Sequence, residues 1–194
     1  MTGELEIVTR GEVEVHLSGP PERHGGFVDA QRAVLEDWFV NLDDVLSLPD
    51  GRTAFAVADV SGKGAGAALL MSNLQASFRA FCSIGLELAR MTGEINRMIH
   101  ANTSAEAYIT FFACVYDPRN RTLTYVDAGH NPPLFFRPGR ALQKLDEGGL
   151  VLGVLPDAVY EERTLELQSN DRLLIYTDGL SEAANSAEEE YGDD

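Results

Sequence analysis

Two aspartates follow apolar segments and stand close to glycines, an arrangement suited to metal binding. Asp59 ends the segment TAFAVAD and precedes VSGKG, and Asp178 ends RLLIYTD and precedes Gly179. A carboxylate at the end of a buried strand places a hard oxygen ligand at a sheet edge, where neighbouring backbone carbonyls can join it on Mg²⁺ or Mn²⁺. One such aspartate is typical of a plain turn. Two of them predict a shared dinuclear site that activates water and neutralises a phosphoryl group.

The Ser-Gly-Lys-Gly segment that follows Asp59 could instead bind a nucleotide. A P-loop requires a glycine separated by four residues from Gly-Lys, and a serine or threonine directly after the lysine. Here Val57 stands at the glycine position, and Gly64 follows Lys63. The P-loop interpretation is therefore rejected.

His130 is the third candidate, within the segment Asp127–Pro133 (DAGHNPP). A histidine can act as a general acid near neutral pH. Next to glycine and Asn-Pro-Pro, it could equally be a turn residue that hydrogen-bonds to the backbone. We favour the structural role, because only a cluster of catalytic groups makes a histidine a strong candidate.

The composition limits the classes of partner. The chain has 194 residues, which suits a single domain, and its net charge is −16. Nucleic-acid binding needs a basic face, and an anionic membrane repels an acidic protein, so neither partner is expected. An acidic surplus also favours solubility. A phosphorylated ligand would have to be met locally by a metal ion or a few arginines.

The cysteines and the N-terminus indicate a cytoplasmic protein. Cys82 and Cys114 stand in apolar surroundings without a CxxC or Cys/His cluster, which predicts buried thiols in a reducing compartment and no zinc site. The first fifteen residues contain no apolar signal-peptide core, and no segment approaches 18 uncharged apolar residues.

The hydrophobic periodicity predicts an α+β fold with mainly antiparallel sheets, because two consecutive helices lie between groups of strands. The first helix has an apolar face of Leu69, Leu70, Leu74, Phe78 and Phe81, and the second has Leu88, Met91, Ile95, Met98 and Ile99. The predicted elements are a strand pair in 4–17 around Gly11, a hairpin in 45–60 around Pro49-Asp50-Gly51, helices at 65–82 and 86–100, and strands at 108–116, 122–129, 133–137, 143–145, 161–167 and 172–179.

Four segments occur in a characteristic order and spacing over about residues 44–192: ADVSGKGAGAALLMSNLQASFRAF, YITFFACVYDPRNRTLTYVDAGHNPPLFFR, GGLVLGVLPD and LLIYTDGLSEA. Together they resemble the SpoIIE/RsbU-type branch of the metal-dependent (PPM, type 2C-like) protein phosphatases. The resemblance implies a four-layer α-β-β-α sandwich of two mainly antiparallel sheets, here shortened at the C-terminus. It also implies two Mn²⁺ or Mg²⁺ ions at one sheet edge. Phosphoserine or phosphothreonine would be hydrolysed by metal-activated water, without a phosphoenzyme.

The resemblance also assigns roles to single residues. Asp59 matches the aspartate that bridges the two metals, and Val60 would offer its backbone carbonyl. Asp178 matches the aspartate that holds the first metal, so Asp59 and Asp178 are the implied catalytic residues. Gly62 and Lys63 match a substrate-binding loop, although a solvated surface lysine is the simpler interpretation of Lys63. His130 and Asn131 match a signature with a structural role.

The chain departs from the family before the first hairpin. The family carries Gly-Gly-Asp-x-Tyr-Asp there, and its first aspartate is a metal ligand. Asn41 occupies that position here and both glycines are absent. An amide oxygen can bind a hard cation without contributing negative charge. Asp43 or Asp44 could substitute after a register shift, although only one of them could face inward, and Asp37 is another candidate.

The second departure is at the C-terminus. Family members usually continue through a helix and a final strand with an Asp-Asp ligand element, whereas this chain ends at Tyr191-Gly192-Asp193-Asp194. A shortened natural variant and a truncated piece both fit. We expect one domain over 1–194, with a divergent part at 1–40, which is either a strand pair or a dimerising element, and an acidic tail at 186–194.

Three hypotheses follow. The first is an active phosphatase, weakened at the Asn41 position and dependent on raised Mn²⁺, that acts on a phosphorylated STAS-domain regulator such as an anti-sigma-factor antagonist. The second is a degenerate phosphatase-fold module that binds a partner protein without turnover. The third is an acidic interaction domain that shares only the scaffold, since fold does not determine function.

Overall fold

The structure is a computed structural model that describes residues 5–9, 12–17, 41–62, 64–103 and 107–177, with side chains described from Asp44 onward. The described residues form two compact units. The first draws on the ranges Met1–Gly25, Asn131–Asp146 and Gln168–Asp194, and the second on Gly26–His130 and Glu147–Leu167. The candidate metal ligands Asp37 and Asp178, the candidate substrate-binding residue Lys63 and the tail at 186–194 lie outside the described residues.

The first unit contains a five-stranded antiparallel sheet with the strand order β1-β2-β10-β7-β8. Its centre is β10, which pairs with β2 on one side and β7 on the other. The predicted strand pair around Gly11 is confirmed as β1 and β2. The strands are β1 Leu5–Thr9, β2 Glu12–Leu17, β7 Leu134–Phe136, β8 Gln143–Lys144 and β10 Arg172–Tyr176.

The second unit contains another five-stranded antiparallel sheet, with the order β3-β4-β5-β6-β9. The predicted hairpin is confirmed: β3 and β4 are joined by the Pro-Asp-Gly turn, where Gly51 adopts a φ of 86° that suits glycine. The central strands β4, β5 and β6 are apolar, and most of their residues are buried. The strands are β3 Asn41–Ser47, β4 Thr53–Val60, β5 Ile109–Asp117, β6 Thr122–Ala128 and β9 Arg163–Glu166.

Two helices of the second unit pack on one face of its sheet. They are α1 Ala65–Ser83 and α2 Leu88–Asn102, close to their predicted limits. Phe78 of α1 meets Phe111 of β5 edge to face, with ring centroids 6.2 Å apart. In the described part of the chain, neither helix is both long and apolar enough to cross a membrane.

Two residues of the predicted apolar helix faces are exposed. Leu69 is 65% exposed and Met98 is 43% exposed, whereas Leu74 and Phe78 are fully buried. Each helix contacts the sheet along a stripe that is narrower than its apolar face in the sequence. Leu69 of α1 and Met98 of α2 lie at the edges of these faces and are therefore exposed to solvent. Cys82 and Cys114 are both buried and free, which confirms the prediction that they are buried thiols.

A loop between Gly149 and Pro156 is tied to α2 by buried polar groups. Asn96, which is fully buried, accepts a hydrogen bond from the Gly153 backbone N–H at 2.8 Å and donates one to the Leu155 carbonyl at 2.7 Å. His100 Nδ1 lies 2.7 Å from the Gly153 carbonyl. Leu152 forms two backbone hydrogen bonds with Ile109 at the start of β5. The loop is therefore fixed beside the end of the sheet at which β4 terminates.

Candidate metal and active site

The end of β4 brings three polar positions into one row across the second sheet. Asp59 pairs with Asn41 of β3 on one side and with Thr110 of β5 on the other. Positions directly opposite each other in an antiparallel ladder lie on the same face, with Cβ atoms about 4.5–5.5 Å apart. Ala58 and Val60, the neighbours of Asp59, belong to the helix-packed core. The row Asn41–Asp59–Thr110 therefore lies on the face away from the helices.

The backbone after Asp59 is held firmly at this edge. The Ser61 N–H donates to the Tyr108 carbonyl at 2.9 Å, and the Ser61 hydroxyl oxygen accepts from the Tyr108 N–H at 2.8 Å. The Val60 side chain is buried among the core residues. Gly62 is exposed and has a φ of 102°, which allows the chain to turn away from the sheet toward α1. The carbonyl of Val60 thus lies at a fixed point beside Asp59.

Asp44, predicted as an alternative metal ligand, lies on the opposite face. It pairs with Ala56, whose side chain belongs to the helix-packed core. Its carboxylate accepts hydrogen bonds from both Nε and Nη2 of Arg79 on α1, the first at 2.7 Å. Strand alternation places Asp44 and Asp59 on different faces. Asp44 is therefore dropped from the candidate ligands, which corrects the sequence-based prediction.

His130 is connected to the row through Thr110. Its Nδ1 lies 3.0 Å from the Thr110 hydroxyl, and its backbone N–H donates to Asp127 Oδ1 at 2.8 Å. The imidazole is 5% exposed, so it is poorly placed to protonate a leaving group. Burial raises the pKa of Asp127 to about 6, against the opposing effect of the N–H groups of His130 and Gly129. These contacts agree with the structural role favoured for His130.

The candidate ligand atoms at and around Asp59 are oxygens, which suit a hard divalent cation. A carboxylate, a backbone carbonyl and an amide at the Asn41 position are all oxygen ligands of the type that Mg²⁺ and Mn²⁺ prefer. Among the residues that the structure describes, no group of three or more His, Cys, Asp and Glu side chains could hold a metal ion. Asp178 and Lys63 lie outside these residues, so their roles stay predictions.

Sequence reasoning missed two residues that the structure places next to predicted ones. Thr110 is the hydroxyl side chain opposite Asp59, inside an otherwise apolar strand segment. Arg79 is the sole charged residue among the 19 of α1. A lone charge in an apolar helix is a usable signal for a buried partner, but the sequence does not say which carboxylate it meets.

Comparisons with known proteins agree with this architecture. The family model "Stage II sporulation protein E (SpoIIE)" matches residues 49–194. Phosphoserine phosphatase RsbU of Bacillus subtilis (strain 168) is 31% identical over 128 residues, which is 66% of this chain and 38% of the relative. The chain therefore spans well under half the length of that protein.

Solved structures show the same fold. The RsbU and RsbW domains of Rv1364c from Mycobacterium tuberculosis match with a TM-score of 0.65 and 28% identity, covering 76% of this chain and 41% of that one. The PP2C phosphatase domain of SpoIIE from Bacillus subtilis matches with a TM-score of 0.64 and 16% identity, covering 92% and 66%. The predicted α+β, PP2C-like fold is confirmed. The chain belongs to the SpoIIE family and is a SpoIIE/RsbU-type member of the PPM serine phosphatases.

Proposed function

We propose that this chain is a metal-dependent protein serine/threonine phosphatase domain. Its substrate would be phosphoserine or phosphothreonine on a regulatory protein. The observation that carries the proposal is the position of Asp59 at the end of β4, opposite Asn41 and next to the fixed Val60 backbone. An isolated acidic turn would need neither a polar residue at the paired position of the next strand nor a tethered loop.

The residues have distinct tasks in this proposal. Asp59 and Asp178 supply the carboxylates that hold Mn²⁺ or Mg²⁺, and Val60 adds its carbonyl. When bound, the ions would lower the pKa of water and neutralise charge on the phosphoryl group. Asn41 contributes an amide oxygen where a carboxylate would bind a cation more strongly, so we expect activity to need raised Mn²⁺. Gly62 and Lys63 form the loop that would meet the phosphate.

The proposed partner is a phosphorylated STAS-domain regulator. Support comes from the name of the relative RsbU, a phosphoserine phosphatase, and from the solved relative that joins RsbU and RsbW domains in one protein. The net charge of −16 supports a protein partner over nucleic acid or an anionic membrane. A cytoplasmic location and a homodimer remain proposals of the same kind.

The test is Mn²⁺-dependent phosphate release from an aryl phosphate and from a phosphoserine peptide. The wild type is compared with Asp59→Asn and Asp178→Asn, and Asp157→Asn is the matched control because Asp157 is an exposed loop aspartate. We expect activity that rises into the millimolar Mn²⁺ range and falls at least about 100-fold in both site variants, since each removes a charged metal ligand.

The control should retain wild-type activity. Unfolding must be monitored in parallel, so that loss of activity is not confused with loss of structure. A folded wild type without activity at millimolar Mn²⁺ would refute the enzyme and favour the partner-binding module. Activity that survives Asp59→Asn would refute the assignment of the site.

A further inference from the structure

We infer that the ion pair between Arg79 and Asp44 locks β3 in the register that places Asn41 beside Asp59. Both residues would then be positioning residues for the proposed metal site, a role that rests on the proposed function. Neither side chain is among the proposed metal ligands. They act through the strand, because Asp44 lies three residues after Asn41 in β3.

The Asp44 carboxylate stands where a charge is unfavourable, whereas the Arg79 side chain that meets it is 53% exposed. The Asp44 side chain is 2% exposed, and the facing residues Ala54, Ala56 and Ala58 of β4 belong to the apolar core under the helices. Burial raises the pKa of the Asp44 carboxyl, and the guanidinium of Arg79 and the Val45 N–H oppose this effect. The carboxylate is thus tolerated in this place because Arg79 meets it with both arms of its planar fork.

Stability alone does not account for such a pair. Desolvation of the buried Asp44 carboxylate opposes the gain from its partner, and Arg79, whose side chain is half exposed, adds little net stability. The best-attested use of a buried charge of this kind is to specify register. Arg79 is the sole charge of α1. A pair that joins an isolated charge on a helix to a single position of a strand is suited to specifying how the two align.

β3 is supported in its register by a single neighbouring strand among those that the structure describes. It is the terminal strand of its sheet among the described strands, and β4 is its described neighbour. A shift by one residue would turn Asp44 to the face opposite Arg79, and a shift by two would move Asn41 away from Asp59 to Val57. Either shift would break the bidentate contact between Arg79 and Asp44 and would also separate Asn41 from Asp59.

The experiment uses the whole chain and the variants Arg79→Met and Asp44→Asn. Arg79→Lys keeps the charge without the fork and serves if the other variants do not fold. Arg97→Met is the matched control, because Arg97 forms an exposed ion pair with Glu94 within α2. Two readouts are taken on folded protein: amide hydrogen exchange of the peptide that contains β3, with the β5 peptide as reference, and Mn²⁺ affinity by calorimetry.

We expect the amides of β3 to exchange at least about 10-fold faster in Arg79→Met and Asp44→Asn, with those of β5 little changed. Mn²⁺ affinity should fall by about 10-fold or more, the usual loss when a residue that orients a ligand is removed. A purely stabilising role would speed exchange throughout the unit and leave the affinity of the folded protein unchanged.

Unaltered amide hydrogen exchange of β3 in a folded variant would overturn the inference that the ion pair fixes the register of this strand. Faster exchange with unaltered Mn²⁺ affinity would overturn the positioning role. If the wild type itself binds no Mn²⁺, the proposed function fails, and exchange of β3 alone then decides whether the pair locks the strand. The two failures are therefore distinguishable.

Discussion

Replacing Asp127 with asparagine should stabilise the protein at neutral and alkaline pH. Asp127 is 4% exposed, and its carboxylate accepts the His130 N–H in the turn after β6. Burial raises the pKa of this carboxyl from 3.8 to about 6. An asparagine keeps an oxygen that can accept the same N–H and removes the charge that must be desolvated.

The direction of the pH dependence of stability follows from the protons bound by the folded and unfolded states. Between pH 3.8 and 6 the folded state holds the Asp127 proton and the unfolded state releases it, so stability falls as the pH rises through that window. The difference of about 2 between the two pKa values corresponds to ~3 kcal/mol above pH 6. At pH 4.5 about 1 kcal/mol of this penalty is already present, so ~2 kcal/mol develops between pH 4.5 and 8.

The assay is urea unfolding of the wild type and Asp127→Asn at pH 4.5 and 8, with Asp157→Asn as the exposed control. The free energy of unfolding of the variant, relative to the wild type, should rise by up to ~2 kcal/mol from the lower to the higher pH. The control should show little change. A variant whose relative stability is the same at both pH values, or falls with pH, would refute the reasoning about burial of Asp127.

Two further predictions concern packing, and both are checked by urea unfolding. Leu74→Ala should destabilise by about 3–5 kcal/mol because Leu74 is fully buried, whereas Leu69→Ala, at a 65% exposed site on the same helix, should change stability by about 0.5 kcal/mol or less. Equal effects at the two sites would contradict the helix orientation. Gly129→Ala should lower the free energy of unfolding more than Gly139→Ala. Both glycines have a positive φ, but of the two only Gly129 has a neighbour that the added Cβ would meet, Val151 Cγ1 at 2.5 Å. A smaller loss at Gly129 would contradict this close approach.

Local sequence determined most of the elements of this protein. The Pro-Asp-Gly turn specifies the β3–β4 hairpin, since proline and glycine supply the backbone angles that a tight turn needs. The helical period of α1 identified Leu74 and Phe78 as core residues. The turn and the helix face each depend on residues close together in the chain, so turn residues and hydrophobic periodicity were sufficient to predict them.

The sequence also predicted a carboxylate at the end of β4. Asp59 follows an apolar strand and precedes glycines, and this local signature holds whatever the rest of the chain does. The same reasoning could not choose between Asp43 and Asp44 as a substitute ligand, because strand side chains alternate and the register was unknown. Pairing of Asn41 with Asp59 settled the register and placed Asp44 on the helix side.

Only the tertiary structure decided which distant groups meet. Arg79 lies 35 residues from Asp44, and Asn96 lies 57 residues from Gly153, yet each pair is in direct contact. The exposure of Leu69 likewise depends on which side of α1 packs against the sheet. Such contacts arise from the packing of helices on a sheet, and a pattern of hydrophobic residues records that a face is buried without recording what it is buried against.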